Sequence, residues 1–546
     1  MVEDPLADLP VVDPATAAEY HRAGWWGDRS LPELVADRAR SIPEETAVAG
    51  DGIRWTWADL DRQTDAMTVR LAGLGLPAGA RVAVLLPDGP TVHAALLGCA
   101  RAGLVAVGIG ARSGDAEIAH LARHTRARAL LTQTSHRGRR AEELLSALTE
   151  RGVPALPLLL ADQVTPSDTV STTTNPPRGV DEVSILNSTS GTTGLPKCVT
   201  QFDNRWLHFC DLAIAAGRLN SQDRVLAAVP TPYGFGLWTS HYLGPRLGVP
   251  THRMARFDAT EALRLIERER ITVLACVTTQ FRMMLASPEL AAVDLSSLRV
   301  MFTGGEAIPF ERAREFEERT GSALLQFFGS NETGALAYSS VDDPPEVRLR
   351  TGGRLIPHMR PRLYDPDTGE QTTEQGQPGC RGPLTSLGYF ADQAANSELF
   401  TRDGWMLMGD LVEFAPAPGG ADTLRLIGRT SDIIIRGGKN ISAAEVEAKV
   451  ETHPEVVLAA VVPVPDDVFG ERVCAVLTTT GRELGVDDVA AHLTRRGVSR
   501  EWFPERVLVV AELPRNAGGK IAKGEVRRIA REFFAEQQSP AAADPR

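Results

Sequence analysis

Ser188-Thr-Ser-Gly-Thr-Thr-Gly-Leu-Pro-Lys197, STSGTTGLPK, carries hydroxyls and glycines and closes on one lysine. Successive Gly, Ser and Thr residues let backbone N–H groups point into one concavity. Hydroxyls add donors, and a terminal lysine adds a mobile positive charge, which together make an anion nest. It is not a Walker A loop, which needs Gly directly before Lys, whereas Pro196 precedes Lys197 here. Composition alone would fit a polar linker. The apolar strand pattern VSILN at 183–187 runs straight into the stretch, and that context favours a phosphate loop.

Outward from this loop, short apolar β-branched runs alternate with helical patterns. RVAVLLP at 81–87 leads into PTVHAALLGCARAG and then LVAVGI; ARALLTQ, RVLAAVP, ITVLACV and LRVMFTGG follow. Such alternation implies βαβ units and buried parallel sheets. The fold class is therefore α/β, with a large N-terminal body of parallel-sheet subdomains over 1–430. Residues 431–546 read as a smaller α+β lid: TLRLIGR and DIIIRGG as a strand pair, a helix SAAEVEAKVETH, strands VVLAAVVPVP and ERVCAVLTT, a helix near 487–497, and RVLVVAELP. The segment 163–183 reads as a polar surface loop, and the tail EQQSPAAADPR as unstructured. GLGLPA at 73–78 fits a loose dinucleotide fingerprint but follows a helix and precedes a strand, the wrong order for that role.

A chain 43% hydrophobic and 23% charged can bury large cores. Its net charge of −12 argues against nucleic-acid or anionic-membrane binding. The six cysteines (99, 198, 210, 276, 380 and 474) form no CxxC pair and read as reduced thiols in a cytoplasmic protein. The acidic, proline-broken N-terminus does not read as a signal peptide, and no apolar run suits a membrane span. The eleven histidines show no HxxxH pattern, so no transition-metal site is expected.

Five further motifs accompany the loop in fixed order: TGGEAIP (303–309), FFGSNETG (327–334), GWMLMGDL (404–411), GRTSDIIIRGGKNISAAEVE (428–447) and PRNAGGKIAKGEVR (514–527). With them the chain resembles, from about residue 30 to 530, the adenylate-forming superfamily of acyl-CoA synthetases, adenylation domains and luciferase. It is most like a bacterial acyl- or aryl-CoA ligase. The resemblance implies ATP, Mg²⁺ and CoA as cofactors, and activation of a carboxylic acid to acyl-AMP with pyrophosphate release, then a CoA thioester. It further implies that Thr189, Ser190, Gly191, Thr192, Thr193 and Gly194 cradle the β- and γ-phosphates, with Lys197 setting the loop's position. Gly304, Gly305 and Glu306 would form a shelf beside adenine, with Phe328 and Gly329 on its face. Asn331 would donate toward the α-phosphate, and Glu332 would ligate Mg²⁺. Asp410 would hold the ribose hydroxyls, Arg429 would contact ribose or phosphate, and Lys520 would bridge carboxylate and α-phosphate.

Several positions depart from the family pattern. Tyr233, beside Gly234 and Gly236 in the implied acyl pocket and thiol gate, stands where the family usually has histidine. Asn331 and Met408 replace threonines. Ser431 stands at the hinge, where Asp or Lys is usual, while Gly438 beside the thiol channel is retained. These departures raise the alternatives of an adenylating enzyme whose thioester step is weak, or one that hands the acyl group to a separate thioesterifying enzyme or a carrier protein. The aromatic and glycine-rich TPYGFGLWTSHYLGP suits a bulky cyclic, aromatic or terpenoid-like acid, with medium-chain fatty acids next. TPYGFG also resembles ligases of bacterial secondary-metabolite pathways, including those acting on diterpenoid acids. No carrier domain is expected after the lid. A non-catalytic nucleotide-binding regulator is the reading from another class, opposed by the joint presence of Glu332, Asp410, Arg429 and Lys520. The oligomeric state is left open, a homodimer included.

Overall fold

Strand Ile185–Ser188, which feeds the opening stretch, lies inside a six-stranded sheet, parallel to Val105–Ile109 and antiparallel to Cys198–Gln201. Val105–Ile109 and its neighbour Arg81–Leu85 are buried at every position, which is why both read as unbroken apolar runs. This computed structural model describes residues 4–166, 175–189, 195–305, 308–366, 368–416, 422–429, 432–436, 439–466, 469–516 and 520–538. Gly73 caps the helix Trp57–Ala72 ahead of Arg81–Leu85, so GLGLPA is a helix stop and turn.

A second body sheet has fifteen strands among the described residues. Its parallel part runs through Val225–Ala227, Val273–Ala275, Val300–Gly304 and Ala323–Ser330. From Gly334 the sheet turns antiparallel and continues through short strands such as Gln375–Arg381, Asp410–Ala415 and Thr423–Arg429. That extension was not expected. Gln375–Arg381 reads QGQPGCR, with neither an apolar run nor alternation to announce a strand. Among the described residues no helix is long and apolar enough to cross a membrane.

The C-terminal unit is built on a five-stranded sheet. Val456–Asp466 sends Val456, Ala459 and Val461 toward the helices Ala443–Val450 and Val486–Arg495. Leu458, Ala460, Val462 and Val464 face the closing helix Lys523–Gln538. Both faces are covered, so the strand is apolar throughout. One expectation is corrected: Thr423–Arg429 and Ile433–Arg436 are not a strand pair. The first pairs with Asp410–Ala415 in the body, and the second with Lys439–Ser442 and Gly470–Thr479 in the C-terminal sheet. Two adjacent β-branched runs look like a hairpin in sequence, but here the chain leaves one sheet for another between them. The closing helix runs to Gln538, three residues into the tail expected to be unstructured; 539–546 lie outside the described residues, as do 167–174 of the polar loop.

Candidate active site

The phosphate-loop stretch is held at its neck. Ser188 faces Cys198 in the ladder, the Thr189 amide donates to the Lys197 carbonyl at 2.8 Å, and the Lys197 amide donates to Thr189 Oγ1 at 3.1 Å. Ser190, Gly191, Thr192, Thr193 and Gly194 lie outside the described residues. Beneath the neck sits a buried cluster of side-chain amides. Asn187 and Asn331 exchange hydrogen bonds, Nδ2 to Oδ1, at 3.1 and 3.0 Å. Gln201 Nε2 donates to Asn187 Oδ1 at 2.6 Å and to Asn331 Oδ1 at 3.1 Å. Gln201 Oε1 in turn accepts from Trp206 Nε1 at 2.9 Å and from Arg205. The strands entering and leaving the loop are thereby tied to the Asn331-Glu332 turn. Asn331 spends one amide N–H on Asn187 and has a second to offer.

That turn is set by its flanks, where Ser330 and Thr333 each accept the other's amide at 3.1 Å. Arg205 Nη2 donates to the Asn331 carbonyl at 3.1 Å, and Nε to the Leu384 carbonyl at 2.9 Å. Burial pulls the Arg205 guanidinium down to about 9, with Glu332 acting the other way, so it stays charged at neutral pH. Glu332 Oε1 accepts the Tyr389 hydroxyl at 2.8 Å, and Lys197 Nζ lies 4.8 Å from the Tyr389 ring centre. Burial, then Glu332, raises the Tyr389 hydroxyl, so it remains a donor. Tyr389, Arg205 and Gln201 were not singled out in the sequence. The one available signal was a polar Gln201 closing a strand that is buried at every position, Gln201 included.

Strand Val300–Gly304 runs into Gly305, at φ +77°. Lys520 Nζ donates to the Gly305 carbonyl at 2.7 Å. A Cβ at Gly305 would overlap that ammonium, so glycine is required there for conformation and for space. Gly234 abuts Asn331, since a Cβ on it would fall 2.5 Å from Asn331 Oδ1. Phe235 lies beside Gly304 and edge-on to Trp238, with ring centres 5.5 Å apart. The Tyr233 ring is 9% exposed and its hydroxyl packs on Gly110; burial raises that hydroxyl further above its ordinary value. Gly236 packs against the Pro230 carbonyl.

Phe328 and Gly329 occupy the strand after Gly304, with Phe328 half-buried. Asp410 faces Arg429 across an antiparallel ladder, and Met408 is buried. Glu306, Ser431, Gly438 and the Arg429 side chain lie outside the described residues. Contacts therefore run from Lys197 through Tyr389 and Glu332 to Asn331 and Gly234, and from Phe235 beside Gly304 to Gly305 and Lys520 of the C-terminal unit. A carboxylate aimed by a tyrosine, a lysine ammonium and a glycine shelf fit a metal–nucleotide group.

The AMP-binding enzyme family model matches residues 35–390, and the model for the AMP-binding enzyme C-terminal domain matches 445–520. Among curated relatives, a 2-hydroxy-7-methoxy-5-methyl-1-naphthoate–CoA ligase of Streptomyces carzinostaticus is 31% identical, over 94% of this chain and 95% of that protein. A salicyl-AMP ligase / salicyl-S-ArCP synthetase of Mycobacterium tuberculosis is 32% identical, over 94% and 93%. Among solved structures, the anthranilate CoA ligase AuaEII in complex with anthranoyl-AMP shares the fold, with a TM-score of 0.82 at 22% identity over 93% of this chain and 98% of that one. The chain belongs to the AMP-binding enzyme family and is an AMP-forming acid–CoA ligase that uses ATP, Mg²⁺ and CoA.

Proposed function

We propose that the acid is aromatic and that the residues in these contacts carry its activation. The observation that carries the reading is Lys520 of the C-terminal unit, 2.7 Å from the Gly305 carbonyl, on the strand end whose Gly304 lies beside Phe235, next to the Gly234 that abuts Asn331. In the first half-reaction a carboxylate oxygen attacks the α-phosphorus of ATP, the bond to the β-phosphate oxygen breaks, and pyrophosphate leaves. Two anions meet, so fixed donors and cations must offset the charge that gathers in the transition state. Lys520 leaves the Gly305 carbonyl to bridge carboxylate and α-phosphate. Glu332, aimed by Tyr389, holds the Mg²⁺ that offsets phosphate charge. Asn331 offers its second amide N–H to the α-phosphate.

The loop Thr189–Gly194 with Lys197 takes the β- and γ-phosphates. Gly304, Gly305, Glu306, Phe328 and Gly329 take adenine, while Asp410 and Arg429 take ribose. Residues 1–430 and 431–546 act as body and lid around Ser431, with Gly438 beside the path of the thiol. Tyr233, Gly234 and Gly236 line the acyl end. Phe235, half-buried beside Gly304 and backed by the core rings of Trp238, Phe302 and Phe327, offers an aromatic edge at that end, which supports a flat aryl acid. The naphthoate and salicylate named for the curated relatives support the same class. Six free, buried cysteines support a reducing, cytoplasmic location.

Transfer to a carrier-protein thiol is the second reading, favoured by Ser431 and Tyr233 and by the carrier activity named for the Mycobacterium relative. Pyrophosphate release with Mg-ATP tests both readings. The panel is salicylate, anthranilate, 2-hydroxynaphthoate, a diterpenoid acid and C6–C12 fatty acids, each with and without CoA, with acyl-AMP and acyl-CoA followed by mass spectrometry. Release with aryl acids ending in aroyl-CoA is expected. Release confined to fatty or terpenoid acids would overturn the aryl reading, and aroyl-AMP persisting beside CoA would favour the carrier.

A further inference from the structure

The seam between the two units contains a buried ion pair. Arg282, on the body helix Thr278–Ala286, is 6% exposed, and Glu451, just past the helix Ala443–Val450, is 3% exposed; Nη2 and Oε1 lie 2.5 Å apart. Arg282 also donates to the Val457 carbonyl at 3.0 Å, and Glu451 Oε1 accepts the Ala459 amide at 3.2 Å. From the neighbouring body helix Phe310–Thr320, Arg312 donates to the carbonyls of Glu451 and Val456 at 3.2 and 3.3 Å. Two body helices thus grip one turn of the C-terminal unit.

The pair is incompletely satisfied, because Glu451 Oε2 and Arg282 Nε are buried without a hydrogen-bond partner among the described residues. A buried carboxylate of this kind has to be neutralised, by a facing cation or by a proton, and removing the cation leaves it stranded while it is charged. The C-terminal unit's half-buried Lys523 is already engaged, 2.9 Å from Glu447 and 3.4 Å from Asp432. Glu447 is itself turned to the Val461 amide at 2.7 Å. The cation for Glu451 therefore has to come from across the seam.

We propose that Arg282 is a positioning residue for Lys520: by neutralising Glu451 it seats the C-terminal unit in the orientation in which Lys520 reaches Gly305. The chemical consequence rests on the acid-activation reading above. The seating itself can be measured with no acid present, so failures of the two are distinguishable.

Hydrogen–deuterium exchange on the full chain would compare the unsubstituted protein with Arg282→Met, Glu451→Gln and the double variant. Arg282→Met should speed exchange in the 451–461 segment about tenfold or more, the scale of stranding a buried charge. The double variant should bring exchange back near the starting rate, because no charge is left to strand. Glu451→Gln alone keeps an Oε1 acceptor for Arg282 and the Ala459 amide and should loosen the seam less than Arg282→Met. With an aryl acid accepted in the panel above, acyl-AMP formation should follow the same order. Unchanged exchange in Arg282→Met would overturn the proposal, as would loosening in the double variant or in Glu451→Gln equal to that in Arg282→Met. An Arg282→Met chain with a merely disrupted body would not be rescued by a substitution on the other unit.

Discussion

Lys520 and Tyr389 carry different parts of the proposed site, and their substitutions should separate cleanly. Lys520→Ala removes a preorganised cation and should lower acyl-AMP formation by about 10²–10³, with ATP affinity by calorimetry nearly unchanged. Intact turnover would remove the lysine from the chemistry. Tyr389→Phe keeps the ring beside Lys197 but deletes the hydroxyl that Glu332 accepts at 2.8 Å. Losing an outer partner of a metal ligand typically costs about 10–100-fold in metal affinity or activity. The Mg²⁺ concentration for half-maximal rate should therefore rise at least several-fold, and an unchanged Mg²⁺ titration would reject the aiming role. The two differ in legibility. Lys520 lies in a motif whose order along the chain marks it, whereas Tyr389 sits in a loop, LGYFADQ, with no periodicity. Its meaning comes only from where the fold sets it, between a lysine and a glutamate distant in sequence.

Elements made of unbroken apolar runs were readable, because strands covered on both faces, parallel or antiparallel, permit little else. Arg81–Leu85 and Val456–Asp466 are such cases. The strand Gln375–Arg381, with no apolar run, was not, since its pairing lies in partners rather than in pattern. The same holds for the amide cluster under the STSGTTGLPK stretch, where Asn187, Gln201 and Asn331 come from three separate elements. Gln201→Leu tests that cluster. It would fit the apolar strand but strip partners from Asn187, Trp206 and Arg205. Leaving such groups bare costs about 1–3 kcal/mol each before relaxation, so the body should lose about 2–4 kcal/mol against urea. A loss below about 0.5 kcal/mol would mean that water replaces the glutamine without strain.

At the scale of the whole molecule, what matters is how firmly the C-terminal unit seats, and Glu451 makes that depend on pH. Burial raises its carboxyl from 4.5 to about 7, with Arg282 lowering it and Glu447 raising it. Arg312 and Lys523 are held by the Glu451 carbonyl and by Glu447 with Asp432, respectively. The seated state therefore binds a proton more tightly than an open one, in which the carboxyl returns toward 4.5. The sign is opposite to that of a simple ion pair: seating gains as pH falls through about 7 and levels off near 4.5. Between those limits the change amounts to about 3 kcal/mol. All six native cysteines are buried, so Glu318→Cys on the body and Asp487→Cys on the C-terminal unit can carry a fluorescent pair. Transfer efficiency between them should change monotonically from pH 8 to pH 6 toward its seated value. Glu451→Gln should abolish that slope. Seating that weakens on acidification would mean that the ion pair, rather than the burial of its carboxylate, dominates the seam.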